Sequence, residues 1–174
     1  VELPLRLGSG DVIPKPNVAR LDGDTVHFED GTSGVFDAIV YATGYNITFP
    51  FFDSDFISAP GNDIRLYKRM FKPGMDNLVF VGFAQAIPTL FPFIECQAKL
   101  MAAYAVGRYA LPPVAEMERV IDADQQKYVG HCVDRPRHTQ QVDYFHYEHD
   151  IRAREFPAGV KRAELRRRRA KEAV

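Results

Sequence analysis

The sequence predicts an α/β fold with a β-meander near its start and helices toward its end, and three observations carry that expectation. Asp22-Gly23 and Asp30-Gly31 are hairpin turn signals bracketing a β-rich stretch, Thr25 to Glu29. Two short runs, Ala38 to Ala42 and Asn77 to Gly82, are apolar on both faces, which suits strands covered on two sides in a parallel sheet. After a turn, the second run leads into "FIECQAKLMAAYAVGRYAL", whose apolar residues recur with helical period.

Residues 1–20 carry Pro4, Pro14 and Pro16 with Gly8 and Gly10, and predict an irregular connection. In the meander, Val26 and Phe28 alternate onto one face. The next strand is expected over Val35 to Ala42. From Phe49 to Gly74 the chain is rich in aromatics and has no period; a loop of that length either covers a ligand or packs as an Ω-loop. In the first long helix, Ile94, Ala98, Met101, Ala105 and Tyr109 predict the buried face, and Pro112-Pro113 ends it. "VAEMERVIDADQQKYV" predicts a second, amphipathic helix, and "TQQVDYFHYEHDIRARE" a third with Thr139 as its N-cap. The tail "VKRAELRRRRAKEAV" reads as an exposed helix, and Glu95 and Lys99 as an ion pair one turn apart.

Composition excludes several classes of partner. Lys and Arg number 22 against 23 Asp and Glu, so no net field draws the chain to nucleic acid or to a membrane. The longest apolar-rich stretch, Phe91 to Leu111, contains Glu95, Lys99 and Arg108, too many charges for a membrane span. The run Arg166 to Arg169 reads as a solvated terminal helix in preference to a contact with RNA or lipid. Cys96 and Cys132 form no CxxC pattern and fit packed thiols in a reducing, cytoplasmic compartment. His131, Cys132, His138, His146 and His149 match no compact zinc spacing, so no metal is expected. No GxSxG nucleophile elbow occurs.

The chemistry-bearing positions lie where the two apolar runs end. "YATGY" (41–45) stops a buried run in Ala42, Thr43 and Gly44. Taken alone it also reads as a strand terminator, with Gly44 at positive φ and Thr43 capping a turn. "NLVFVGFAQ" (77–85) repeats the pattern, ending in Gly82 and the polar Gln85. Small residues at the carboxyl end of a strand let a dinucleotide approach the backbone, and a following helix start offers N–H groups to it. Gln85 carries two donors and an acceptor, suited to the edge of a planar heterocycle.

With these stretches on the page, "EDGT…FDAIVYATGYNITFPF" (29–51), "NLVFVGFAQ" (77–85), "ECQAKLMA" (95–102) and "TQQVDYFHYEHD" (139–150), the sequence resembles the C-terminal portion of the class B flavin-dependent monooxygenases, the flavin-containing monooxygenase family. The resemblance covers about residues 10–155. It implies a Rossmann-like flavoprotein with two dinucleotide-binding domains. In that family NADPH reduces FAD, O2 forms a C4a-hydroperoxyflavin, and a small substrate bearing a nitrogen, a sulfur or a ketone is oxygenated. It places residues 1–35 at the end of the NADPH-binding domain and 36–112 in the C-terminal part of the FAD-binding domain. Residues 113–157 become a helical extension and 158–174 a basic tail. The implied cofactor-binding residues are Ala42, Thr43, Gly44, Gly82, Gln85 and Thr89, with no catalytic acid or base expected in this stretch. Where many relatives carry Pro-Thr-Gly-Ser after the glutamine, this chain has Ala86-Ile87-Pro88-Thr89. Neither GxGxxG fingerprint nor the family's FxGxxxHxxxW signature is present, so the segment is expected to be a part that is inactive alone. A related flavin reductase and a non-catalytic interaction segment are the alternatives, and exposed apolar sheet edges would favour a homo-oligomer.

Overall fold

A computed structural model describes residues 2–129 and 139–172, in two compact units, Val1–Thr43 and Gly44–Val174. The architecture is mixed α/β, with a meander and C-terminal helices.

In the first unit a short helix, α1 (Glu2–Ser9), occupies part of the stretch expected to be irregular; Pro4 falls in its opening turn, where a missing N–H costs nothing. The antiparallel meander follows as β1 (Val18–Asp22), β2 (Thr25–Phe28) and β3 (Ser33–Val35), in the order β1-β2-β3. Gly23 and Gly31 sit at positive φ in its two turns, as the Asp-Gly signals require. Asp30 accepts from the Thr32 N–H at 2.9 Å and from its hydroxyl at 2.7 Å, and these bonds hold its carboxyl below the ordinary range. Val26 and Phe28 are buried on one face, and Phe36 meets the Phe28 ring edge-on.

The strand expected over Val35 to Ala42 stops at Val35. Residues 38–42 join no ladder among the described residues, and Val40 is 87% exposed. A strand apolar on both faces needs a hydrogen-bonded neighbour and cover on two sides, and no described residue provides them here.

In the second unit the expected strand at 77–82 reduces to an isolated bridge, Phe71 with Val79, beside a Phe80 N–H to Met70 C=O bond of 2.8 Å. The regular pairing forms later and was not foreseen. β4 (Gln85–Ile87) runs parallel to β5 (Gln141–Asp143), with Gln85 opposite Gln141. Helix α2 (Phe91–Ala105) ends before Gly107, which takes positive φ, so Tyr109 lies beyond it. Its buried residues are Phe93, Gln97, Leu100 and Ala103, one position off the expected face. The apolar count missed the register because a glutamine holds a core position.

Helix α3 (Val114–Val129) spans the expected residues and buries Met117 and Ile121. Helix α4 (Tyr144–His149) starts after β5, and Asp143, not Thr139, caps it by accepting from the His146 N–H at 2.9 Å. Thr139 instead donates its hydroxyl to the Asn62 carbonyl at 2.7 Å. A π-helical turn, Asp150–Glu155, leads into α5 (Phe156–Glu172).

The main core gathers Tyr67, Met70, Phe71, Phe93, Leu100, Tyr109, Met117, Ile121, Val142 and Tyr147. Each such side chain contributes about 1.5–3 kcal/mol through removal of apolar surface from water. The aromatic loop packs as a second cluster of Ile57, Ile64 and Leu66 with Phe49, Phe52, Phe56, Phe80 and Phe83. The basic helix α5 is tied down at its start. A Cβ on Gly159 would lie 2.0 Å from the Tyr109 ring, and Arg162 and Arg166 donate to the Ala110 and Leu111 carbonyls at 2.9 Å each. Glu95 and Lys99 form the expected pair at 2.6 Å, both exposed.

Candidate functional site

An open groove of about 440 Å3 lies where the second apolar run ends, lined by Ile47, Gly82, Phe83, Ala84, Gln85, Ala86, Leu90 and Gln140. Its floor is the turn from Gly82 into β4, held from two directions. From the turn just before β5, the Gln140 carbonyl accepts the Gln85 N–H at 2.8 Å. From α2, the Gln97 Oε1 accepts the Gly82 N–H at 2.7 Å. The Ile47 side of the groove is fixed separately: Asn62 accepts the Ile47 N–H at 2.8 Å through Oδ1 and donates through Nδ2 to the Tyr45 carbonyl at 3.0 Å. The Asn62 carbonyl in turn accepts from Gln140 Nε2 at 3.1 Å.

Gly82 has φ +76, and a Cβ there would meet the Ile94 side chain at 3.2 Å. Glycine is therefore required for the turn and for close approach to α2. Its N–H is directed inward to Gln97. Gln85 is exposed at the groove. Ala42 and Thr43 close the first unit, both exposed, and Gly44 opens the second with φ +90. Gly44 and Thr89 lie outside the groove lining. Of the six residues singled out, the groove thus unites Gly82 and Gln85.

Asn62, Gln97 and Gln140 were not visible in advance. Asn62 takes positive φ inside the loop, and the two glutamines are buried amides. The "EC-Q-A" spacing at 95–98 marked a helix, but nothing in it marked Gln97 as inward-facing. Two other candidates lie away from the groove. Cys96 is a free thiol that burial pushes up to about 11, so it stays protonated and unreactive near neutrality. His146 and His149 are exposed, while His131, Cys132 and His138 lie outside the described residues. No group of three His, Cys, Asp or Glu side chains suited to a metal ion occurs among the described residues, and no described helix is long and apolar enough to cross a membrane.

The flavin-binding monooxygenase-like family, by its sequence model, matches residues 1–159. The chain belongs to that family. It is 34% identical over 153 residues to flavin-containing monooxygenase 5 of Oryctolagus cuniculus, and 34% identical over 158 residues to flavin-containing monooxygenase 3 of Canis lupus familiaris. Each match covers 86% of this chain and 28% of the relative, so the chain spans little more than a quarter of their length. Among solved structures, the S-allyl-L-cysteine S-oxygenase from Allium sativum is similar with a TM-score of 0.60 at 26% identity, over 92% of this chain and 43% of that one. The family is the one whose C-terminal portion the motifs at 29–51, 77–85, 95–102 and 139–150 resemble.

Proposed function

We propose that the chain forms one wall of the flavin–nicotinamide site of an NADPH- and FAD-dependent monooxygenase acting with O2 on a small nitrogen-, sulfur- or ketone-bearing substrate. The observation that carries this reading is the Gly82–Gln85 turn, opening on an apolar groove in a chain of the flavin-binding monooxygenase-like family. The residues present fit such a group. Phe83, Ala84, Ala86, Leu90 and Ile47 give flat apolar cover, and Gln85 adds a polar edge. When bound, the flavin would supply the redox chemistry, taking hydride from the nicotinamide and activating O2.

The chain's own residues bind, orient and exclude water. Gln85 would hydrogen-bond the rim of a planar ring through its amide, and the apolar lining would keep the reacting atoms dry. The family resemblance makes Ala42, Thr43 and Gly44 candidate cofactor contacts of their own, and Thr89 a candidate for the nicotinamide end. On this reading residues 1–35 end the NADPH domain, 36–112 belong to the FAD domain, and the protein works in the cytoplasm. The similarity to an S-oxygenase makes sulfides the first substrates to try.

The test is expression from the complete coding region, with bound flavin, NADPH oxidation and oxygenation of an amine, a sulfide and a ketone all measured. Gln85→Ala should lower oxygenation about tenfold, the scale of one lost hydrogen bond to a charged or strongly polar partner. Unchanged NADPH oxidation and oxygenation in that variant would remove Gln85 from the site. Rapid NADPH oxidation yielding only peroxide with every substrate would favour a flavin reductase.

A further inference from the structure

We propose that Gln97 is a positioning residue that sets the groove through the Gly82 turn; this rests on reading the groove as the flavin–nicotinamide site. Gln97 projects from the middle of α2 and is 0% exposed. A buried primary amide needs partners for both ends, and it finds them. Its Oε1 accepts from Gly82 at 2.7 Å, and its Nε2 donates to the Tyr147 hydroxyl at 3.2 Å and lies 3.4 Å from the Arg69 carbonyl. Tyr147 donates onward to the Lys68 carbonyl at 2.7 Å. Burial keeps that phenol protonated, well above its ordinary range, so it remains a donor to Lys68 and an acceptor for Gln97.

Two contacts from α2 meet the same glycine. Ile94 backs its Cα, and Gln97, one turn later on the helix, takes its N–H. The turn therefore has one orientation, with its N–H directed into the core and residues 83–86 lining the groove. A leucine at 97 would fill comparable space but leave the part-buried Gly82 N–H without its acceptor. The chain runs from Lys68 through Tyr147 and Gln97 to Gly82, which couples α4 to the groove floor.

The experiment pairs a readout on the turn with one on the ligand. In Gln97→Leu, the Gly82 amide should exchange with solvent about tenfold faster by NMR while the amides of α3 keep their rates. FAD affinity of the protein expressed from its complete coding region should fall about tenfold. Gln97→Met, which keeps the length and volume of the side chain and removes only its amide, should give the same two losses, so that they follow the amide and not the packing; parent-like values in Gln97→Met would overturn the proposal. If Gln97→Leu does not fold, Tyr147→Phe keeps the ring against Phe93 and removes only the hydroxyl that orients Gln97; Gly82 exchange should then rise about threefold. Unchanged Gly82 exchange in both variants overturns the proposal. Faster exchange with unchanged FAD affinity also overturns it while leaving the flavin reading intact. Parent protein with no FAD affinity overturns that reading and the proposal with it.

Discussion

Residues 38–44 and 78–82 each run from apolar side chains into a glycine at positive φ, and they differ in what covers them. Ile39, Val40 and Tyr41 stand exposed, and no described strand pairs with them. Val79 and Phe80 are half-buried. Val79 bridges Phe71, and the Phe80 ring lies 5.8 Å from Phe49 and 5.7 Å from Phe83. The second run is covered because its partners lie within about thirty residues on either side, in the aromatic loop and α2. An apolar run records a need for cover; only neighbouring elements meet it.

The comparison breaks most visibly at Phe71. It is fully buried, with its ring 5.2 Å from Tyr104, and it supplies the bridge to Val79. Phe71→Ala should cost about 3–5 kcal/mol in chemical unfolding and expose residues 79–83 to proteolysis. An effect below about 1 kcal/mol would mean that the second run is not held from this side. Gly82→Ala comes next. A side chain there is strained by the backbone and meets Ile94, so about 1–3 kcal/mol should be lost, measured as a lower unfolding midpoint with an unchanged denaturant slope. The smallest effect belongs to Val40→Ser, within about 0.5 kcal/mol, since that side chain already faces water. The same substitution should reduce self-association seen by light scattering, because it removes part of an exposed apolar stretch. A large loss of stability from Val40→Ser would show that the run is covered after all.

Much of the framework was legible because its causes are local. Asp-Gly pairs force the two meander turns, period-2 alternation buries Val26 and Phe28, and Pro112-Pro113 separates α2 from α3. The family was legible as well, since "YATGY" and "NLVFVGFAQ" occur in the right order, and Gly82 and Gln85 do meet at one groove. The face of α2 was not. Counting apolar residues favours Ile94 and Met101, whereas the helix turns Gln97 inward because the Gly82 N–H and the Tyr147 hydroxyl await an amide there.

The distinction is one of range. Composition, turn chemistry and hydrophobic period act over a few residues, so they specified the meander, the α3 helix and the glycines that must take positive φ. Pairing of β4 with β5, the cap at Asp143, and the contacts from Asn62, Gln97 and Gln140 join residues that are distant in the chain or depend on a register set elsewhere. Such contacts depend on which buried polar groups find each other once the apolar surfaces have closed, and that was decided in three dimensions.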